Sequence, residues 1–125
     1  MITQAKSKRK ASGGVLRSSF KKKITRKGGL SALTKLDKTV VKQKRARGGS
    51  IRLTLLSANK VNVFNPKTKK CEVAEMKNVT ENPANRHFVR RDILTKGTIV
   101  DTSIGKVKIT SRPGQEGTVN GILLE

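Results

Sequence analysis

Positive charge is crowded into one part of this chain. Residues 1–50 hold 16 lysines and arginines against a single acid, Asp37, whereas residues 51–125 hold 13 against seven, for a net charge of +21 over 125 residues. Between Lys6 and Leu30 the only bulky apolar side chains are Val15, Leu16, Phe20 and Ile24. Such a stretch cannot bury enough apolar surface to offset the ~1–2 kcal/mol of backbone entropy lost per ordered residue. Residues 1–45 are therefore expected to form an extended basic arm that orders on a partner, ahead of a small folded domain over residues 46–125. A solvated tail serving solubility is the plain alternative. A third of the chain at this charge density speaks instead for nucleic acid.

Self-repulsion at +21 opposes compaction, so the partner is expected to be a polyanion. A membrane would need an amphipathic helix with bulky anchors or a long apolar span. The chain has no Trp or Tyr, three Phe, and no apolar run of spanning length. No apolar stretch follows Met1, so no signal peptide is expected. The single cysteine, Cys71, cannot form an internal disulfide, which fits a reducing, cytoplasmic setting. Nucleic acid is the reading that remains.

Three basic clusters in the first 50 residues each end in a glycine pair. Lys8, Arg9 and Lys10 precede Gly13 and Gly14; Arg26 and Lys27 precede Gly28 and Gly29; Lys44, Arg45 and Arg47 precede Gly48 and Gly49. A residue without a Cβ lets backbone N–H groups approach phosphate oxygens and tolerates φ > 0. Lysine adds charge, and arginine a planar fork that holds phosphate with two hydrogen bonds. With Arg17, Lys21, Lys22, Lys23 and Arg52 these residues, Gly28 and Gly29 apart, make up the candidate RNA-binding set of the first half. None of the glycine pairs is a nucleotide-binding loop, because no Gly-x-x-x-x-Gly-Lys-Ser/Thr is present.

From Ile51 onward the pattern turns strand-like. Ile51, Leu53 and Leu55 alternate with Arg52, Thr54 and Leu56, and Val61 and Val63 continue the period of two. A short strand is expected around Cys71 and Val73, and three more at 98–100, 107–109 and 119–124, separated by glycine-bearing turns. Short strands at this spacing indicate a mainly β domain, a small antiparallel β-barrel or sandwich. One short helix is expected between Asn82 and Leu94, with Pro83 at its start and Phe88, Arg91 and Leu94 at helical spacing. Residues 30–44 are ambiguous: Ser31 can cap a helix bearing Leu33, Leu36 and Val40, but Thr39-Val40-Val41 favours an extended path.

Catalytic parts are scarce. Cys71 and His87 fall on separate expected elements, and one Cys with one His cannot complete a structural zinc site. No enzyme, metal, cofactor or small-molecule substrate is expected. The carboxylates are few and best read as local partners of lysines and arginines. The three phenylalanines, Phe20, Phe64 and Phe88, are read as packing residues, too few to stack successive bases, so recognition should rest on RNA shape and backbone.

Four runs in the last third occur together: Asn82-Pro83-Ala84-Asn85, Phe88-Val89-Arg90-Arg91, Thr95-Lys96-Gly97-Thr98 and Ser111-Arg112-Pro113-Gly114-Gln115. In this order they resemble small-subunit ribosomal protein eight of the archaeal and eukaryotic type, and the likeness extends upstream through the glycine clusters at 8–14 and 45–49. The resemblance implies a β-barrel of six-stranded type plus a basic N-terminal segment threaded along small-subunit ribosomal RNA. It also implies a place in the ribosome beside neighbouring small-subunit ribosomal proteins. The length is similar to that of the archaeal form; between Phe20 and Lys44 the family's Gly-Arg-rich pattern is not followed. In the shared motifs, Pro113 should fix φ, Gly114 should permit φ > 0 and Arg112 should stand at the rim. Arg90, Arg91, Lys96 and Arg112 are the expected RNA-facing residues of the barrel. A ribosome-assembly factor or an architectural nucleic-acid-binding protein is the alternative reading.

Overall fold

The computed structural model describes residues 8–17, 23 and 28–124. The chain divides into two compact units, one over residues 1–31 and one over residues 32–125.

In the first unit, Lys8–Leu16 forms a tight hairpin. Arg9 and Val15 make an antiparallel bridge, and the Lys10 and Leu16 N–H groups donate to the Gly14 and Lys8 carbonyls, each at 2.8 Å. Gly13 turns the chain at φ 80°, a left-handed conformation that a side chain would strain. Arg9 Nη1 donates to the Gly13 carbonyl at 2.9 Å. The first glycine cluster is thus a turn with its own hydrogen bonds.

Among the described residues the second unit is built from nine strands, one α-helical turn and a 3-10 turn at Arg47–Gly49: β1 (Thr34–Leu36), β2 (Val40–Arg45), β3 (Ile51–Ala58), β4 (Lys60–Asn65), β5 (Lys70–Glu81), α1 (Arg86–Val89), β6 (Ile93–Leu94), β7 (Ile99–Thr102), β8 (Lys106–Ile109) and β9 (Asn120–Leu123). Five of them close a barrel in the order β4-β5-β7-β8-β9, and the other four form a sheet in the order β2-β3-β1-β6. Five strands close the barrel rather than six, and the closing pair, β4 with β9, is parallel; its other pairs are antiparallel. The first 45 residues, read from charge as one arm, divide here: Thr34–Leu36 and Val40–Arg45 are strands of the sheet. Thr34 is fully buried and its hydroxyl donates to the Leu55 carbonyl at 2.8 Å, so backbone pairing and one buried hydroxyl recruit a segment of little apolar content.

A barrel this narrow needs small or β-branched residues inside. Val61, Val63, Ala74, Val79, Val100, Val107 and Ile109 fill it, and Leu55, Ala58 and Leu94 join them from the sheet to make one core. Gly121 faces inward opposite Val63 and Ile109; a Cβ there would lie 3.0 Å from the Lys108 carbonyl and closer still to Val107 Cγ1. The closure of the barrel therefore depends on this glycine.

The expected helix shrinks to the four residues of α1, and Pro83 lies before it. Asn82 explains the difference. Buried, it donates through Nδ2 to the Ile93 carbonyl, while its Oδ1 accepts from the Ala84 N–H and the Thr95 hydroxyl, all three bonds at 3.0 Å. Those bonds tie both ends of the segment together and draw Leu94 into β6, opposite Thr34. Asn85 caps the helix by accepting from the His87 N–H at 2.9 Å. Both asparagines of the Asn-Pro-Ala-Asn run are thus structural.

Candidate nucleic-acid interface

The outermost element of the sheet is a ribbon. Every residue of β2 is exposed, as are the first three of β3, so β2 and β3 project past the start of β1 as a two-stranded hairpin. Its tip is the third glycine cluster. Gly48 and Gly49 both adopt left-handed φ, 81° and 82°, and a Cβ on either would meet nothing within 4 Å. Backbone conformation, not crowding, requires glycine in this turn, and the space around it is open.

Register sorts the ribbon's side chains onto two faces, since residues directly opposite in an antiparallel pair share one. Lys44 faces Arg52, and Lys42 faces Thr54; on the other side Arg45 faces Ile51, Gln43 faces Leu53 and Val41 faces Leu55. One face therefore carries Lys42, Lys44 and Arg52 together. Like charges directly opposite destabilise an isolated ribbon, and the ribbon itself carries no acid. Lys42 was not singled out from the sequence. Its spacing of two from Lys44 is the signal, readable once residues 40–45 are known to be a strand.

The loop after β8 braces the other face. The Pro113 carbonyl accepts from the Leu55 N–H at 3.2 Å, and a Cβ on Gly117 would stand 3.1 Å from Leu53 Cβ. Pro113 is fully buried and Arg112 exposed. Gly114 does not take the positive φ expected of it; its missing side chain instead admits the Ala32 carbonyl, 2.8 Å from where a Cβ would be. Lys96, exposed at the tip of the Thr95–Thr98 turn, belongs to the same end of the unit. Next to it Gly97, at φ 86°, donates its N–H to the Ile109 carbonyl at 2.8 Å.

Arg90 and Arg91 are also exposed, but they lie at the other end of the short strand β6. There Asp92 accepts from the Leu36 N–H at 2.9 Å, beside the end of β3, where Leu36 pairs with Ala58. Lys44 and Arg52 thus share one face of the ribbon and Arg45 lies on the other, Arg47 stands in its turn, Lys96 and Arg112 are exposed in separate loops, and Arg90 and Arg91 precede β6. Lys8, Arg9, Lys10, Arg17 and Lys23, all in the first unit, are exposed. Lys21, Lys22, Arg26 and Lys27 lie outside the described residues. Among the described residues no group of His, Cys, Asp or Glu is placed to hold a metal ion, and no helix is long and apolar enough to cross a membrane.

Comparison with known proteins agrees with the motif reading. The family model described as ribosomal protein S8e matches residues 3–124. A protein of Methanococcus aeolicus named small ribosomal subunit protein eS8 is 47% identical over 124 residues, covering 98% of this chain and 97% of its own length. Proteins of the same name from Methanosphaera stadtmanae and Methanobrevibacter smithii are 47% and 45% identical, again over nearly the full length of both chains.

Proposed function

Because the chain belongs to the ribosomal protein S8e family, we propose that it is a structural, non-catalytic constituent of the small ribosomal subunit, binding ribosomal RNA through its basic N-terminal segment and the β2–β3 ribbon. The observation that carries this reading is the cationic face of the ribbon, where Lys44 and Arg52 stand in register with Lys42 beside them. A folded protein gains nothing from that arrangement alone. Phosphates laid across the face turn the repulsion into attraction, and each neutralised phosphate releases counterions.

A-form RNA exposes a wide, shallow minor groove and its phosphate rims, which suits shape recognition by a protein short of aromatic residues. The glycine turns at 13–14 and 48–49 let the backbone come close to the sugar-phosphate chain. Lys96 and Arg112 extend the contact beyond the ribbon, and Arg90 and Arg91 serve a separate strand of RNA at the other end of β6. The N-terminal unit, residues 1–31, adds ten of the chain's 29 lysines and arginines to the contact.

Sedimentation of the full chain with small subunits through a sucrose gradient in high salt tests the proposal. It should travel with the small subunit and not with the large one. A chain that stays at the top of the gradient, or that binds duplex DNA as well as folded small-subunit RNA in competition, would overturn it.

A further inference from the structure

The outer wall of the barrel carries a surface unlike the rest of this cationic chain. Phe64, read from sequence as a packing residue, points outward and is 39% exposed, because Val61 and Val63 take the inward positions of β4. Register places Phe64 between Cys71 on β5 and Ile122 on β9, and sets Asn62 between Val73 and Asn120 in the next outward row. Asn62 Nδ2 donates to Asn120 Oδ1 at 2.9 Å. These six residues form a tile, two rows deep and three strands wide, with no charge in it. Lys60 facing Glu75 bounds it on one side, and Lys108, beside Ile122, on another. An uncharged centre with a charged rim is how protein-binding surfaces are built.

The tile ends at an open strand edge. β5 pairs with β4 over Lys70–Glu75 and with β7 over Met76–Glu81, so its first half has one neighbour only. The phase of the ladder follows from Asn62, whose N–H donates to Val119 on the β9 side. Asn62 therefore turns its backbone groups away from β5, and Val73 opposite it, like Cys71 two residues earlier, turns its own away from β4. Next along this edge Glu75 accepts from the Ser103 N–H at 3.0 Å. At Ser103 the chain leaves for the turn into β8, and among the described residues nothing pairs with the backbone of Cys71 or Val73.

We propose that this edge and tile receive an extended polypeptide segment of a neighbouring small-subunit protein, which continues the barrel wall where β7 departs and sets alternate apolar side chains beside Val73 and Phe64. The proposal rests on the ribosomal reading above. An extended backbone matches the alternating N–H and C=O groups of such an edge along its whole length. The absence of cations from the tile argues against phosphate as its occupant.

Cys71 is the chain's one cysteine and lies on the edge itself, so it reports directly. A short photoactivatable cross-linker on Cys71 and amide hydrogen exchange over residues 70–74 are followed in the free chain and in purified small subunits containing it. Expected are rapid exchange at Cys71 and Val73 in the free chain, at least tenfold slower exchange in the subunit, and a cross-link to a different polypeptide. Val73 is 67% exposed, so Val73→Lys should leave the fold and RNA affinity intact while reducing both signals several-fold. A cross-link to RNA, to a second copy, or to this chain's own N-terminal segment overturns the proposal. So does unprotected exchange in the subunit. A chain that enters the subunit with this edge still exchanging sinks this inference alone, whereas a chain that fails to enter sinks the ribosomal reading with it.

Discussion

Changing Lys44 to glutamate should move stability and RNA binding in opposite directions. The Ala46 N–H donates to the Ser50 carbonyl at 2.7 Å at the base of the turn, which fixes Lys44 and Arg52 as a hydrogen-bonded pair with Cα atoms roughly 5.5 Å apart. At that separation a like-charged pair costs, and an opposite pair contributes, ~0.2–1 kcal/mol. Both side chains are exposed, so solvent screening places the effect at the low end of that range. The swing in Lys44→Glu is then about 0.5 kcal/mol in favour of folding, a rise of roughly 2–4 °C in Tm for a domain of this size. Against RNA the same change removes one cation and neutralises another, so the log–log salt slope should fall by about 1–2 units. Thermal melting in low salt reads the first effect, and filter binding across a salt series reads the second. A variant that melts lower than the parent, or that keeps the parent's slope, would refute the idea that the cationic pair is held for a polyanion.

Three further substitutions probe the framework that holds the ribbon. Asn82→Ala removes three hydrogen bonds at a buried site and should destabilise by about 2–4 kcal/mol, seen as a lower urea midpoint with RNA affinity kept at low temperature. Gly114→Ala forces a Cβ against the Ala32 carbonyl and should cost about 1–3 kcal/mol, with the loss of protection concentrated in β1 and β3 by hydrogen exchange. Gly48→Ala meets open space but a left-handed φ, so a smaller cost of about 1–2 kcal/mol is expected from backbone strain alone; a larger loss than in Gly114→Ala would reverse this ordering.

The barrel was legible in sequence wherever strand alternation survived. Val61 with Val63, Val107 with Ile109 and Val100 read as strand residues from the sequence pattern, and all are buried. β5 was recognised only around Cys71 and Val73, although it runs 12 residues. Irregular pairing between Met76 and Asn78 and between Val79 and Glu81 breaks its alternation, so Ala74, Met76 and Val79 do not keep a period of two. Alternation also identifies a strand without saying what covers it. Ile51 and Leu53 alternate as strand residues do, yet are 65% and 43% exposed, because the ribbon they belong to projects beyond the sheet. Charge located the basic segment but could not show that Lys42, Lys44 and Arg52 share one face, since that depends on register. The motifs of the last third were visible as motifs, whereas the buried role of Asn82 depends on Ile93 and Thr95 folding back over it.

Salt dependence of binding to small-subunit ribosomal RNA tests the central claim most directly. The full chain is compared with the variant in which Lys42, Lys44, Arg45, Arg47 and Arg52 are all alanine. At ~0.7–0.9 units per phosphate contact, the variant's slope should be shallower by about 3.5–4.5 units if each of the five cations meets a phosphate, with its β content by circular dichroism unchanged. A variant that folds normally and keeps the parent's slope would mean that RNA does not lie across the ribbon.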